Sequence, residues 1–320
     1  MNRPIKDCIA YLSNNHGVFL QPLNLIRKLV FFSPHNKAEV NGYLGFISIR
    51  GRQEEAFEKQ LARQSTSNIS YNSKMTYHDL LKDYTHVVLA TGDGAYSIEQ
   101  QQYRIDLTVS LRGATIEGNF DPQKVIAWFN NDFAPKGYAY LIPFSEQEAN
   151  IVIAYPDYAD YEVNVLWDRF LKVVKRDIGQ DFGITDNFSI TKYIMGSAQK
   201  GRVGNTFFTG NCLGTMMPFL GFGQFTSILS GIYAAQDIGG VANYEDKIVK
   251  IRESYRYSLI LRRFMESLSD ENLDALVKFI ATPIGQRGFS WQWLNVLKFT
   301  GIILGPWFDT SRKMRVQNND

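Results

Sequence analysis

Period-two alternation and short runs of branched apolar residues mark the first third of the chain as strand-rich. Lys28-Leu-Val-Phe-Phe-Ser33, Ala38-Glu-Val40 and Gly45-Phe-Ile-Ser-Ile-Arg50 read as strands, each bounded by Pro, Asn or Gly. Helical spacing takes over in Gln53–Arg63, where Ala56, Phe57, Leu61 and Ala62 recur among charges and define one packed face. Ser70-Tyr-Asn72 predicts a short strand, and Thr76–Lys82 a short helix capped by Thr76. The mostly apolar run His86-Val-Val-Leu-Ala90 ends in Thr91-Gly92-Asp93-Gly94. That is the pattern of a buried parallel strand meeting a glycine turn, where α/β sheets hold their ligands.

Farther along, Arg104–Arg112 alternates polar and apolar, and Gly137–Ile142 and Ala149–Ala154 add strand candidates, which together predict an antiparallel sheet. Asp121–Asn130, with Pro122 in its first turn, predicts a helix. A second helix is expected over Asp160–Val174, with Val163, Val165, Leu166, Phe170, Leu171 and Val174 inward. Val203–Gly210 is a strand running into a glycine turn, Gly223–Ile238 a helix that starts on a glycine loop, and Tyr244 to about Ile280 is helical in pattern.

Composition narrows the function classes. The chain has 320 residues, enough for two domains or one domain with an insertion, and its 34 basic against 32 acidic residues leave a net charge of +2. With the two signs interspersed there is no basic face, so no nucleic-acid partner is expected. Cys8 and Cys212 lack any CxxC or Cys/His company, which argues against a disulfide framework or a zinc site and makes the cytoplasm the expected compartment. The uncharged stretch Val203–Gln236 is long enough to span a bilayer. Its six glycines, Pro218, Asn205, Asn211 and Gln224 argue against that. Trp291–Phe308, interrupted by Lys298, Gly301, Gly305 and Pro306, reads as a terminal helix on a core or a bilayer surface, the candidate for peripheral membrane contact. No HExxH, Gly-x-Ser-x-Gly or Gly-x4-Gly-Lys pattern occurs, and Cys212 reads as a small buried hydrophobe before it reads as a redox thiol.

The informative segment is a strand, then Gly210-Asn-Cys-Leu-Gly214, then Pro218-Phe-Leu-Gly221-Phe222-Gly223, then an apolar helix containing Ser230-Gly231-Ile-Tyr-Ala-Ala235. Glycines let backbone approach a flat or charged group, and the amides of a helix start favour an anion or an electron-rich ring edge. This segment resembles the flavin-contacting signature of the geranylgeranyl reductase and aromatic-hydroxylase class of FAD-dependent oxidoreductases. Val87–Gly92 is similar to that class's second nucleotide-domain strand, and Gly45–Arg50 with the helix after it to its strand, arginine and helix. Gly137-Tyr-Ala-Tyr140-Leu-Ile-Pro143 resembles the Tyr-x-Trp-x-Phe-Pro segment of geranylgeranyl reductases, with Tyr140 for Trp and Ile142 for Phe.

The resemblance implies an α/β fold. A discontinuous FAD-binding-type domain would span 1–95 and 195–245, an inserted antiparallel-sheet substrate domain 96–194, and C-terminal helices 246–320. It implies FAD as cofactor, with Arg50, Gly92, Gly210, Asn211, Pro218, Gly221, Phe222 and Gly223 around it. Asn211 would stand where the family's Asp meets the ribityl chain. Gly221 and Gly223 would offer amides to the pyrimidine edge, and Arg50 would contact the cofactor or else form a strand-end ion pair. The substrate would be a small hydrophobic, isoprenoid or lipid-like molecule, with Trp128, Tyr138, Tyr140 and Phe144 as candidate contacts. One departure is plain, because the chain holds no strand, Gly-x-Gly-x-x-Gly and helix unit to grip a pyrophosphate. The expectation is an N-terminally shortened product lacking that βαβ unit, with Val87–Ala90 left unpaired on one side. The rival expectation is a truncated, cofactor-free, non-enzymatic binding protein on the same scaffold.

Overall fold

Strand pairing sorts the chain into a large sheet and a small one. The computed structural model describes residues 5, 7–101, 103–290, 303–306 and 308, so the expected surface helix at 291–308 falls almost wholly outside the described residues. In chain order the elements are α1 (Cys8–His16), β1 (Asn24–Phe32), β2 (Lys37–Ile47), α2 (Phe57–Gln64), α3 (Tyr77–Asp83), β3 (Val87–Leu89), α4 (Ala95–Gln100), β4 (Tyr103–Glu117) and β5 (Lys124–Trp128). There follow β6 (Tyr138–Pro143), β7 (Glu148–Pro156), α5 (Val163–Ile178), β8 (Gly183–Ala198), β9 (Arg202–Val203), β10 (Thr206–Phe208), α6 (Gln224–Ile238), α7 (Tyr244–Glu266), α8 (Asp270–Ala281) and α9 (Pro283–Ser290).

The seven-stranded sheet has the order β2-β1-β5-β6-β7-β4-β8 and is antiparallel except where β1 runs parallel to β5. It is therefore mixed, where an antiparallel sheet was expected. It also draws in residues 24–47, which were expected with the nucleotide-type part. The three-stranded sheet has the order β3-β10-β9, with β3 parallel to β10 and at the edge among the described residues.

Three local expectations need correction. Residues 124–128 form a strand, not the interior of a helix: the Asp121 carboxylate accepts from the Gln123 amide at 2.9 Å, which closes a turn instead of capping a helix. Ile126 and Trp128 face one core and Ala127 and Phe129 the other, so β5 is buried on both sides and shows no polar alternation. Ser70-Tyr-Asn72 is an exposed turn with Asn72 at φ 56°, not a strand. Strand β8, which went unpredicted, is the sheet's edge. Residues 183–187 and 189–192 are exposed, and three irregularities interrupt its register with β4.

Helix starts followed their local chemistry more closely. Thr76 caps α3 in a box with Asp79, and Asn243 and Ser269 accept from the first-turn amides of α7 and α8.

Each sheet is covered on both faces. One face of the large sheet carries Ile116, Ile126, Trp128, Leu141, Ile151 and Ile153 against Leu166, Trp167, Phe170 and Val174 of α5. The other face meets α8 and the end of α7 through Phe31, Val40, Phe129, Met265, Leu273 and Val277, and it meets the middle of α7 through Leu107, Met195, Tyr255 and Leu259. The small sheet is sandwiched between Leu12, Phe57, Leu229, Tyr244 and Ile248 on one side and Tyr77, Leu80 and Tyr96 on the other. Helix α7 contributes to three of these clusters, so it ties the two sheets together.

Candidate functional site at the glycine turns

The end of β3 and the loop after β10 converge. Beyond β3 the chain turns at Gly92, whose φ of 93° only glycine adopts without strain. After β10 a short 3-10 turn, Gly210–Cys212, presents Asn211. The Asn211 side-chain nitrogen donates to the Gly92 carbonyl at 2.7 Å and to the Tyr193 hydroxyl at 2.6 Å, and Tyr193 itself donates to the Gly92 carbonyl at 2.9 Å. Both Asn211 N–H groups are thus engaged inside the protein. Its Oδ1, which accepts from Thr215 Oγ1 at 3.4 Å, is the atom left with spare acceptor capacity.

Burial, then the charge of Asp93, pushes the Tyr193 phenol up to about 12, with Arg50 pulling the other way. Arg50 lies near enough to act on Tyr193 electrostatically, while its guanidinium pairs with Glu58 at 2.8 Å, the strand-end ion pair.

The loop that follows is pinned by close backbone contact and by hydroxyls of α6. A Cβ on Gly214 would stand 2.3 Å from the Gly196 carbonyl oxygen, so the loop can cross β8 only without a side chain there. The Gly210 amide donates to Ser230 Oγ at 2.9 Å, Thr215 Oγ1 and Ser227 Oγ are 2.7 Å apart, and Thr226 Oγ1 donates to the Thr215 carbonyl at 3.0 Å. The serines of this helix therefore hold the loop.

Gly223 begins α6 with no side-chain cap, and Ser48 at the end of β2 donates to the Gln224 side chain at 2.6 Å. An uncapped start of a 15-residue helix leaves amides and the positive end of the dipole for a ligand. Gly221, at φ 70°, is exposed, and a Cβ on it would lie 3.5 Å from the Tyr138 hydroxyl. Phe222 is exposed beside it, and Pro218 is buried behind the loop. Met216 and Tyr193 pack against the same cluster of Leu107, Met195, Met217, Tyr255 and Leu259, and the Met216 backbone meets Gly223, so one cluster underlies both the Gly92 turn and the α6 start.

The four expected substrate contacts separate. Tyr138 and Tyr140 share one face of β6 with ring centroids 6.1 Å apart, on the side of the glycine loop. Trp128 does not join them. It pairs with Ala139 on the opposite face, is 1% exposed, stacks on Phe32 and donates to Asp177 at 2.7 Å, so it is a core residue under α5. Phe144 lies just past β6, its backbone held in the hairpin by Glu148 and Asn24. Cys212 is fully buried, with Sγ 3.0 Å from Thr91 Oγ1.

Solved structures share this arrangement of elements. A geranylgeranyl bacteriochlorophyll reductase-like protein from Thermoplasma acidophilum superposes with a TM-score of 0.61 at 15% identity, over 92% of this chain and 87% of its own. The fold is that of flavin-dependent oxidoreductases. The flavin-dependent brominase Bmp2 is similar at a TM-score of 0.57 and 11% identity, over 84% of this chain and 76% of its own. A flavoprotein/dehydrogenase from Cytophaga hutchinsonii follows at 0.52 and 12%, over 88% and 83%. No family model matches the chain.

Two residues of this candidate site escaped the sequence. Tyr193 sits on the unpredicted edge strand β8, where the alternation of Tyr193 and Met195 was the available signal. Arg262 lies beside Tyr138 with 2% exposure, and a charged residue at a core position of α7, after Leu259 and Ile260, was its signal.

Proposed function

We propose that this chain is an FAD-dependent oxidoreductase whose flavin ring lies against the Gly92 turn, Asn211 and the start of α6, with a hydrophobic substrate between the ring and the Tyr138–Tyr140 face. The observation that carries this reading is the convergence of two glycine turns and an uncapped helix start on one side of the molecule. The site fits such a group in three respects. Gly92 and Gly221 are exposed, and no heavy atom stands within 4 Å of a Cβ built on Gly92, so a flat ring meets bare backbone there. Asn211 Oδ1 can accept from a ribityl hydroxyl. The first amides of α6 can stabilise the electron-rich edge of a reduced ring.

Bound FAD supplies hydride transfer; the protein's share is to orient and shield. On this reading Tyr193 fixes the Gly92 turn from the sheet side, and Met216, on the same cluster, backs Gly223. The test is the visible absorption spectrum of the chain after gel filtration, with and without prior incubation with FAD. Flavin bands co-eluting with the protein support the reading. A folded, colourless protein after incubation overturns it and favours the cofactor-free binding protein.

A further inference from the structure

Tyrosines near the glycine loop fall into two groups. Tyr158 donates to Glu266 at 2.9 Å, Tyr193 to Gly92 at 2.9 Å and Tyr255 to Asp106 at 2.8 Å. Tyr138 and Tyr140 are half-buried on the face of β6 toward the loop, and neither hydroxyl has a hydrogen-bond partner among the described residues. Burial raises both phenols, Tyr138 to about 12, so each is a neutral O–H donor at any physiological pH. Two donors on one strand face, half-buried and without acceptors from the protein, are free to meet an acceptor from outside it.

The charges behind them set the sign of that acceptor. Arg262 is 2% exposed, donates to Glu266 at 2.7 Å and to the Lys136 carbonyl at 3.1 Å, and its field reaches Tyr138. Arg263 bonds the same Glu266 at 2.9 Å, as well as Tyr158 and the Asp106 carbonyl. Asp106 is itself engaged by Arg104 at 2.8 Å. One carboxylate thus serves two arginines, and the cluster keeps a positive charge next to Tyr138. Val152 and Ala154, paired with Tyr140 and Tyr138, are buried and apolar, so the strand beside the tyrosine pair supplies no competing side-chain acceptor.

We propose that Tyr138 and Tyr140, with Arg262 behind them, form a subsite for a carboxylate at one end of an otherwise apolar ligand. The substrate class becomes a hydrophobic monocarboxylate. This deepens the proposed function and rests on it for the word substrate; the subsite itself does not require flavin. Charge-assisted hydrogen bonds to the two hydroxyls hold the carboxylate, and the chain or ring beyond it lies on the sheet.

The experiment is isothermal titration calorimetry of the whole chain with octanoate and with octan-1-ol, each with and without FAD, repeated on Y138F, Y140F and the double variant. The removed hydroxyls have no partner in the protein, and circular dichroism melts check that each variant is folded. Octanoate should bind the wild type at least about tenfold more tightly than octan-1-ol, and the ratio should fall below about threefold in the double variant with octan-1-ol affinity kept. Equal binding of the two probes, no binding of either, or a preference that survives in the double variant overturns the subsite. Octanoate preference in protein that takes up no flavin keeps the subsite and removes the flavin reading. Flavin uptake without octanoate preference does the reverse.

Discussion

The side-chain nitrogen of Asn211 stands 2.7 Å from the carbonyl oxygen of Gly92, a contact that joins the loop after β10 to the turn after β3. An aspartate there would bring a carboxylate oxygen against that carbonyl, two acceptors with no proton between them. The amide turns the same geometry into a hydrogen bond, and its second N–H reaches Tyr193. Asn211 therefore closes the site in addition to offering Oδ1 to a ligand.

Asn211→Asp should loosen both turns. We expect a stability loss of about 1–3 kcal/mol, the net worth of two lost hydrogen bonds, together with weaker FAD binding. Tyr193→Phe, which removes one donor and one acceptor but keeps the ring, should cost less, roughly 1 kcal/mol. Urea unfolding of the three proteins orders them; an Asn211→Asp variant as stable as wild type contradicts the closing role.

Gly221 tests the loop. At φ 70° an L side chain costs roughly 1–2 kcal/mol, and a Cβ would also stand at 3.5 Å from the Tyr138 hydroxyl. Gly221→Ala should weaken FAD binding by about tenfold, which corresponds to 1.4 kcal/mol. Fluorescence titration with FAD measures this, and an unchanged affinity would remove Gly221 from the contact set.

Trp128 separates stability from binding. Its burial under α5 predicts that Trp128→Ala destabilises by about 3–5 kcal/mol. FAD affinity of the folded protein should stay within about twofold of wild type, under 0.5 kcal/mol. Affinity lost in parallel with stability would bring Trp128 back to the ligand side.

A carboxylate at the far end of the sheet fixes acid sensitivity. Asp274 of α8 accepts from Ser33 Oγ at 2.6 Å, from the His35 amide at 3.0 Å and from the His35 ring at 2.8 Å. Burial pushes its carboxyl up, and these hydrogen bonds outweigh that and hold it well below the usual range. A depressed folded-state value means that the stabilisation is complete above the unfolded value of about 3.9 and is lost as pH falls through the folded one. Asp274→Asn should therefore destabilise the protein at pH 7 and flatten the decline in stability below about pH 4. An acid limb identical to wild type in thermal melts contradicts this assignment.

How far the sequence disclosed this site depends on what each residue faces. Thr76 announced itself as a cap and the run Val87–Leu89 as a parallel strand, because both depend on local chemistry; the strand's full burial did not follow, since Val88 is exposed and β3 lies at the edge of its sheet among the described residues. Strand β5 did not, because both its faces are buried and Asp121-Pro122 imitates a helix start. That error hid the sheet parity that sets Trp128 apart from Tyr138: the aromatic residue types were legible, the faces were not. Gly92, Asn211 and Gly221 were legible as turns. The partner that locks two of them, Tyr193, sits on a mostly exposed edge strand whose alternation is confined to Tyr193 and Met195. Arg262 showed only as a charge at a core position of α7, and its ion pair to Glu266 resembles any surface i,i+4 pair, so tertiary packing is what sets it apart.

Hydrogen–deuterium exchange of the whole chain with and without FAD tests the central claim most directly, because it reports where the flavin sits as well as whether it binds. Flavin at the glycine turns should slow exchange in peptides covering 91–94, 210–216 and 220–226, and leave exchange in those of α5 and β5 unchanged. Protection confined to other segments, or none at saturating FAD, would contradict it.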